Sequence, residues 1–328
     1  MKNYYGLCII GLVVCLFISF KTNKTDSFKS YNQYHEDIWY LNVHKQKGNK
    51  IDLFVKEVGI GDTIVVVHGG FGAEHSYLID LLKPLYNKFH FVFYDQRGSL
   101  RSPVKNDSLI TAMSHIDDLE LLRKELKINK LNLLGHSMGT WVSSAYLDKY
   151  PQNVNSMVLM GLVWPKPNMN EEESKINAES EEAFSAFLKR PSVTDIIKKE
   201  GFDSITNSSK INTYKWRIKF ASASIYNIEK WRQMKGGWVF YNQKSGTAAG
   251  TTMPEEYNWI ETYKTNPEVS ITVINGTHDF VDFGGKLQGQ WLNPLENVNY
   301  HVIENAGHNA WIDEPEQVKQ IIIHNFKK

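Results

Sequence analysis

The chain has 328 residues, 42% hydrophobic and 22% charged, and its 37 Lys and Arg against 36 Asp and Glu leave a formal net charge of +1. A near-neutral chain without a basic block lacks the phosphate attraction on which nucleic-acid binding rests, and its apolar and aromatic content is too high for a disordered protein. Both cysteines, Cys8 and Cys15, precede Phe20, which excludes disulfide frameworks, thiolate metal sites and thiol catalysis from the body of the chain.

Met1-Lys2-Asn3 leads into an uncharged run from Tyr4 to Phe20, followed by Lys21 and Lys24. This pattern predicts an export signal or membrane anchor with its linker over residues 1–30. No small-x-small cleavage site follows, so an uncleaved signal anchor is preferred to a removed signal peptide. Lipidation at Cys15 would place the bulky Val14 where a small residue is needed. The expected location is outside the cytoplasm, membrane-anchored or periplasmic/extracellular, in a bacterial cell envelope.

Alternating runs at Ile38 to Val43 and Ile51 to Val58, separated by Lys45-Gln46-Lys47-Gly48-Asn49, predict an antiparallel hairpin. Short β-branched or aromatic runs follow at Thr63 to Val67, Phe89 to Tyr94, Leu131 to Leu134, Ser156 to Met160, Ser270 to Ile274 and Val298 to Ile303. Helical spacing marks Met113 to Leu126, and a second helix runs from Met138 to Lys149 before Pro151. Strands apolar on both faces between amphipathic helices predict an α/β fold, a mostly parallel central sheet flanked by helices.

From Val163 to Thr265 no apolar strand run is present. Trp164, Trp216, Trp231, Trp238 and Trp259 fall here, beside an acidic cluster from Glu171 to Glu182 that reads as a solvated helix face. The segment predicts an inserted, mainly helical lid at 163–265, dividing a core into 31–162 and 266–328.

Gly135-His136-Ser137-Met138-Gly139 lies between a predicted strand and a predicted helix. The glycines permit the sharp turn that would hold Ser137 Oγ at the strand tip. A serine hydroxyl needs an imidazole base, and the imidazole a carboxylate to fix its tautomer. Asp279, in Asn275-Gly276-Thr277-His278-Asp279, and His308, in Glu304-Asn305-Ala306-Gly307-His308, each follow a predicted strand, so both share one sheet edge with Ser137. Asp282 is the rival acid, while His136 and His278 flank the site as structural neighbours. Two backbone donors for an oxyanion are expected from Met138 and from the turn His68-Gly69-Gly70-Phe71-Gly72, with Gly70 ahead of Phe71.

The set His68-Gly69-Gly70-x-Gly72, Asp95-Gln96-Arg97-Gly98, Gly135-x-Ser137-x-Gly139, Asp279 and Gly307-His308 resembles the α/β-hydrolase superfamily, and within it the prolyl aminopeptidase (proline iminopeptidase) branch. Phe71 stands where that branch usually has proline, and Met138 where it has tryptophan; Gly-His-Ser-Met-Gly is the form common in esterases and lipases. The resemblance implies a serine hydrolase with an acyl-enzyme and no metal or organic cofactor. Its implied substrate is a short peptide with a free N-terminus, with small acyl esters as the alternative and a non-catalytic tethered binding protein as a third reading. An aminopeptidase needs a carboxylate for the α-ammonium. Glu229, among Tyr226 and Trp231, is the first candidate and Glu74 the second. Asp95 and Arg97 are read as braces of the core.

Overall fold

The computed structural model describes residues 36–44, 50–190 and 192–327. The N-terminal apolar run with Cys8 and Cys15, and the Lys45 to Asn49 turn, lie outside the described residues. Among the described residues no helix is long and apolar enough to cross a membrane.

Every predicted strand forms. The strands are β1 (Glu36–His44), β2 (Ile51–Gly59), β3 (Asp62–Val67), β4 (Phe89–Tyr94), β5 (Leu131–His136), β6 (Val154–Met160), β7 (Ser270–His278) and β8 (Val298–Gly307). They make one eight-stranded sheet in the order β1-β2-β4-β3-β5-β6-β7-β8. β1 with β2 and β2 with β4 are antiparallel, and every later pairing is parallel. The predicted helices form over Ala112–Glu125 and Met138–Lys149.

Side chains alternate across a strand, and here both faces are covered. Val65, Val67, Leu133, Leu159 and Val273 join one hydrophobic core, whereas Ile64, Val66, Leu134, Val158 and Ile274 join a second core across the sheet. That double burial explains why the central strands read as nearly unbroken apolar runs.

Between β6 and β7 the chain makes helices at Glu171–Leu188, Ser192–Lys199, Ser209–Ser224, Gln243–Gly250 and Trp259–Thr265, with 3-10 turns at Ile228–Gln233 and Gly237–Phe240. The last helix sits against the core, where Tyr263 and Ser144 hydroxyls lie 2.6 Å apart and the Thr262 hydroxyl donates to Asp148 at 2.7 Å. The acidic cluster begins a capped helix. Asn170 and Glu173 cap each other's backbone amides, and buried Glu173 also accepts from Lys166 and from the Trp291 indole at 2.7 Å.

Candidate active site

The three residues picked out as a triad each stand one position past a strand: Ser137 after β5, Asp279 after β7 and His308 after β8. These strands are parallel, so their ends bring the residues to one edge of the sheet.

Close packing explains the turn around Ser137. A Cβ on Gly139 would lie 2.1 Å from the Val67 carbonyl oxygen, and one on Gly135 would lie 2.8 Å from both the Gly139 oxygen and Ser143 Oγ. Ser137 itself adopts φ 52° and ψ −126°, a strained backbone for a residue with a side chain. The turn is held by the Ser137 amide on the Met160 carbonyl at 2.9 Å, and by the Thr140 amide and hydroxyl on the Ser137 carbonyl, each at 2.7 Å.

His308 Nδ1 lies 2.9 Å from both carboxylate oxygens of fully buried Asp279, and Asp279 Oδ1 also accepts from the Val281 amide at 2.9 Å. His308 Nε2 is buried without a hydrogen-bond partner among the described residues. The Phe280 ring covers the imidazole with centroids 4.2 Å apart. Asp282 faces elsewhere: its Oδ2 accepts from the Gln288 amide at 2.7 Å, its Oδ1 has no partner among the described residues, and burial raises its pKa. Geometry therefore pairs the imidazole with Asp279 rather than Asp282.

Ser137, His308, Gly70 and Met138 share one cavity of about 300 Å³. Met138 opens its helix, where the first backbone N–H groups have no intrahelical acceptor. Gly70 has φ +67°, and the Trp238 ring would be 2.7 Å from any Cβ placed on it. A side chain there would collide with the cavity wall.

Sequence reasoning does not reach Tyr77. Its hydroxyl accepts the Gly69 N–H at 2.7 Å and lies 2.7 Å from His136 Nδ1, so its own proton goes to that nitrogen. One hydroxyl thus ties the glycine turn to the residue before Ser137. Burial lowers the pKa of His136 well below the usual histidine value and keeps it neutral. His136 and Tyr77 are 59 residues apart and no local pattern links them.

The remaining motif residues brace this edge. His68 Nε2 accepts from the Gln96 amide at 3.0 Å while the Gln96 side chain donates to the His68 carbonyl at 2.8 Å. Arg97 grips buried Asp118 with two guanidinium nitrogens. Asp95 accepts from His75 and from the Arg101 amide. Together Glu74, His75 and Asp95 bring three metal-capable atoms within 4.8 Å of one another, but the Arg101 guanidinium already sits on both carboxylates.

Neither carboxylate proposed for an α-ammonium reaches the cavity. Glu74 is fully buried and is filled by Ser76, Arg101 and the Gly237 amide; although burial opposes ionisation, these bonds hold its carboxyl below the usual range. Glu229 points to solvent, its side chain 55% exposed and 2.8 Å from Lys199. Among the described residues, no Asp or Glu lines the cavity.

The family description "alpha/beta hydrolase fold" matches residues 62–315. The chain belongs to this family. It is related to prolyl aminopeptidases: a proline iminopeptidase of Saccharolobus solfataricus is 31% identical over 45% of this chain and 48% of that protein. The chain thus spans about half the length of that relative. Among solved structures, the proline iminopeptidase-related protein of Thermus thermophilus has a TM-score of 0.62 at 21% identity, covering 89% of this chain and 98% of that one. An esterase of Thermogutta terrifontis has a TM-score of 0.60 at 21% identity, covering 88% and 97%. The two solved structures, each 21% identical, share the fold of this chain.

Proposed function

We propose that the protein is a serine hydrolase that works through an acyl-enzyme. Ser137 Oγ attacks a carbonyl carbon, and His308 Nε2 takes the hydroxyl proton and delivers it to the leaving group. Asp279 keeps the imidazole protonated on Nδ1, and the Gly70 and Met138 amides receive the oxyanion. Water then repeats the sequence and releases the acid. The observation that carries this reading is Asp279 on Nδ1 of an imidazole whose Nε2 is unpartnered, among the described residues, in the cavity that Ser137 lines.

For the substrate, a small carboxylic ester or amide with an uncharged acyl group suits a lining that has no carboxylate among the described residues. A short peptide with a free N-terminus is the second reading, favoured by the relationship to prolyl aminopeptidases. A fluorophosphonate probe on the intact chain and on Ser137→Ala, with hydrolysis of a prolyl anilide, its N-acetylated twin and a short acyl ester, tests both. Ser137-dependent labelling with ester cleavage is expected. Labelling with cleavage of the free-amine anilide alone makes it an aminopeptidase, and a chain that neither labels nor cleaves is a binding protein. We also propose that Tyr4 to Phe20 tethers the enzyme to a bacterial membrane; release from membranes by an alkaline wash would refute this.

A further inference from the structure

The cavity wall over Ser137 is an aromatic column. Trp216 and Phe220 stack with centroids 5.4 Å apart at 5°, Phe220 and Trp238 at 5.7 Å and 9°, and Trp238 and Tyr241 at 4.1 Å and 17°. Trp216, Phe220 and Trp238 all line the cavity. At 5.4 and 5.7 Å with nearly parallel planes, Phe220 is offset sideways from Trp216 and Trp238, so the wall presents ring edges and parts of ring faces to a ligand. Aromatic edges carry the positive part of the ring quadrupole and attract the negative face of another ring. Within the column the Trp238 ring lies against Gly70, which sets this wall beside the proposed oxyanion donors.

Charge and size narrow the ligand further. The two cationic residues of the lining are engaged elsewhere: Arg217 donates to the Met234 and Arg232 carbonyls at 2.7 and 2.8 Å, and Lys235 pairs with Asp80 at 3.0 Å. Asp279 is spent on His308 and Val281. An ammonium entering this cavity would leave water without a counter-charge. An apolar cavity of about 150 Å³ takes up benzene, so a cavity of about 300 Å³ holds on the order of ten heavy atoms.

We propose that the site selects an uncharged, flat aromatic acyl group of about ten heavy atoms, presented as an ester or amide, and disfavours the same skeleton carrying a free α-ammonium; this rests on the serine-hydrolase reading above. In the reaction the Ser137 Oγ–acyl bond forms as the ester C–O or amide C–N bond breaks, the serine proton leaves with the alcohol or amine, and water cleaves the acyl-enzyme to the free acid.

The test compares p-nitrophenyl esters of 3-phenylpropionate, 3-cyclohexylpropionate and phenylalanine on the intact chain, each rate divided by its uncatalysed rate. The phenyl ester is expected to exceed the cyclohexyl ester in kcat/KM by about 3- to 10-fold, the range of one edge-to-face contact. It is expected to exceed the phenylalanine ester by about 30-fold, the cost of an unpaired polar group. In Phe220→Leu the phenyl-to-cyclohexyl ratio should fall toward one, with fluorophosphonate labelling reporting that the site is still assembled. Equal or better cleavage of the phenylalanine ester, or no phenyl preference, with Ser137 still labelled, overturns the proposal and leaves the serine mechanism standing. Absence of Ser137-dependent labelling and cleavage overturns the mechanism and the proposal with it.

Discussion

Replacing Tyr77 by phenylalanine keeps the ring and deletes one oxygen, which isolates what that hydroxyl does. The Gly69 N–H and His136 Nδ1 both lose their partner, and both residues are buried. Leaving a buried polar group unsatisfied costs about 1–3 kcal/mol. Because the Tyr77 ring reaches the cavity, where water can compensate in part, the sum should fall near the lower end, about 2 kcal/mol. The same loss frees the Gly69–Gly70 turn, whose Gly70 N–H is the proposed oxyanion donor, so kcat should drop by about 10- to 100-fold while KM changes little. Urea unfolding and steady-state hydrolysis of one ester by Tyr77→Phe measure the two effects. Stability within about 0.5 kcal/mol of the parent together with unchanged kcat would refute the bridging role.

Asp279→Asn should lower kcat by several orders of magnitude by stabilising the wrong imidazole tautomer, whereas Asp282→Asn should retain activity and match or exceed the parent in thermal stability, since its buried carboxylate has an oxygen unpartnered among the described residues. Steady-state rates and melting curves of the two variants check this. Gly139→Ala should prevent soluble folding, because the new Cβ meets backbone 2.1 Å away; a soluble, labelled variant would contradict the packing account. His68, His115 and His136 are all held below the usual histidine pKa by burial, His115 down to about 3. The unfolded chain therefore takes up protons that the fold resists, so stability should be level above pH 6.5 and fall as pH drops from 6.5 toward 3. His115→Leu should flatten that slope in denaturant midpoints measured across this window.

The strands were readable because the buried sheet demands β-branched and aromatic residues on both faces, and the Phe89–Tyr94 run marks β4 residue for residue. The placement of Ser137, Asp279 and His308 at one sheet edge was readable for a related reason: each directly follows such a strand, with a glycine among the three residues before it. Glu229 misled because Tyr226 and Trp231 are its neighbours in sequence. In the fold Trp231 is 1% exposed, whereas the Glu229 side chain is 55% exposed and paired with Lys199. Glu74 was noticed for its charge, but its partners Arg101 and Gly237 come from distant stretches. Phe71 stacks on His115 with centroids 4.9 Å apart, a pairing between a turn and a remote helix. Contacts of this kind have no period along the chain, and only the folded arrangement reveals them.

Two carboxylates fasten the helical segment to the core. Glu74, four residues past Gly70, accepts the Gly237 amide, and Asp313, five past His308, accepts the amides of Tyr226, Asn227 and Gly307. Each rivet sits beside one half of the proposed chemistry, the oxyanion turn or the base. The Asn242 amide on the Gly72 carbonyl and the Asn309 amide on the Ser224 carbonyl add backbone ties at the same two places, and backbone bonds ask little of the side chains that carry them. Descendants of this chain could thus inherit the reaction intact while acquiring new preferences, one aromatic position of the wall at a time.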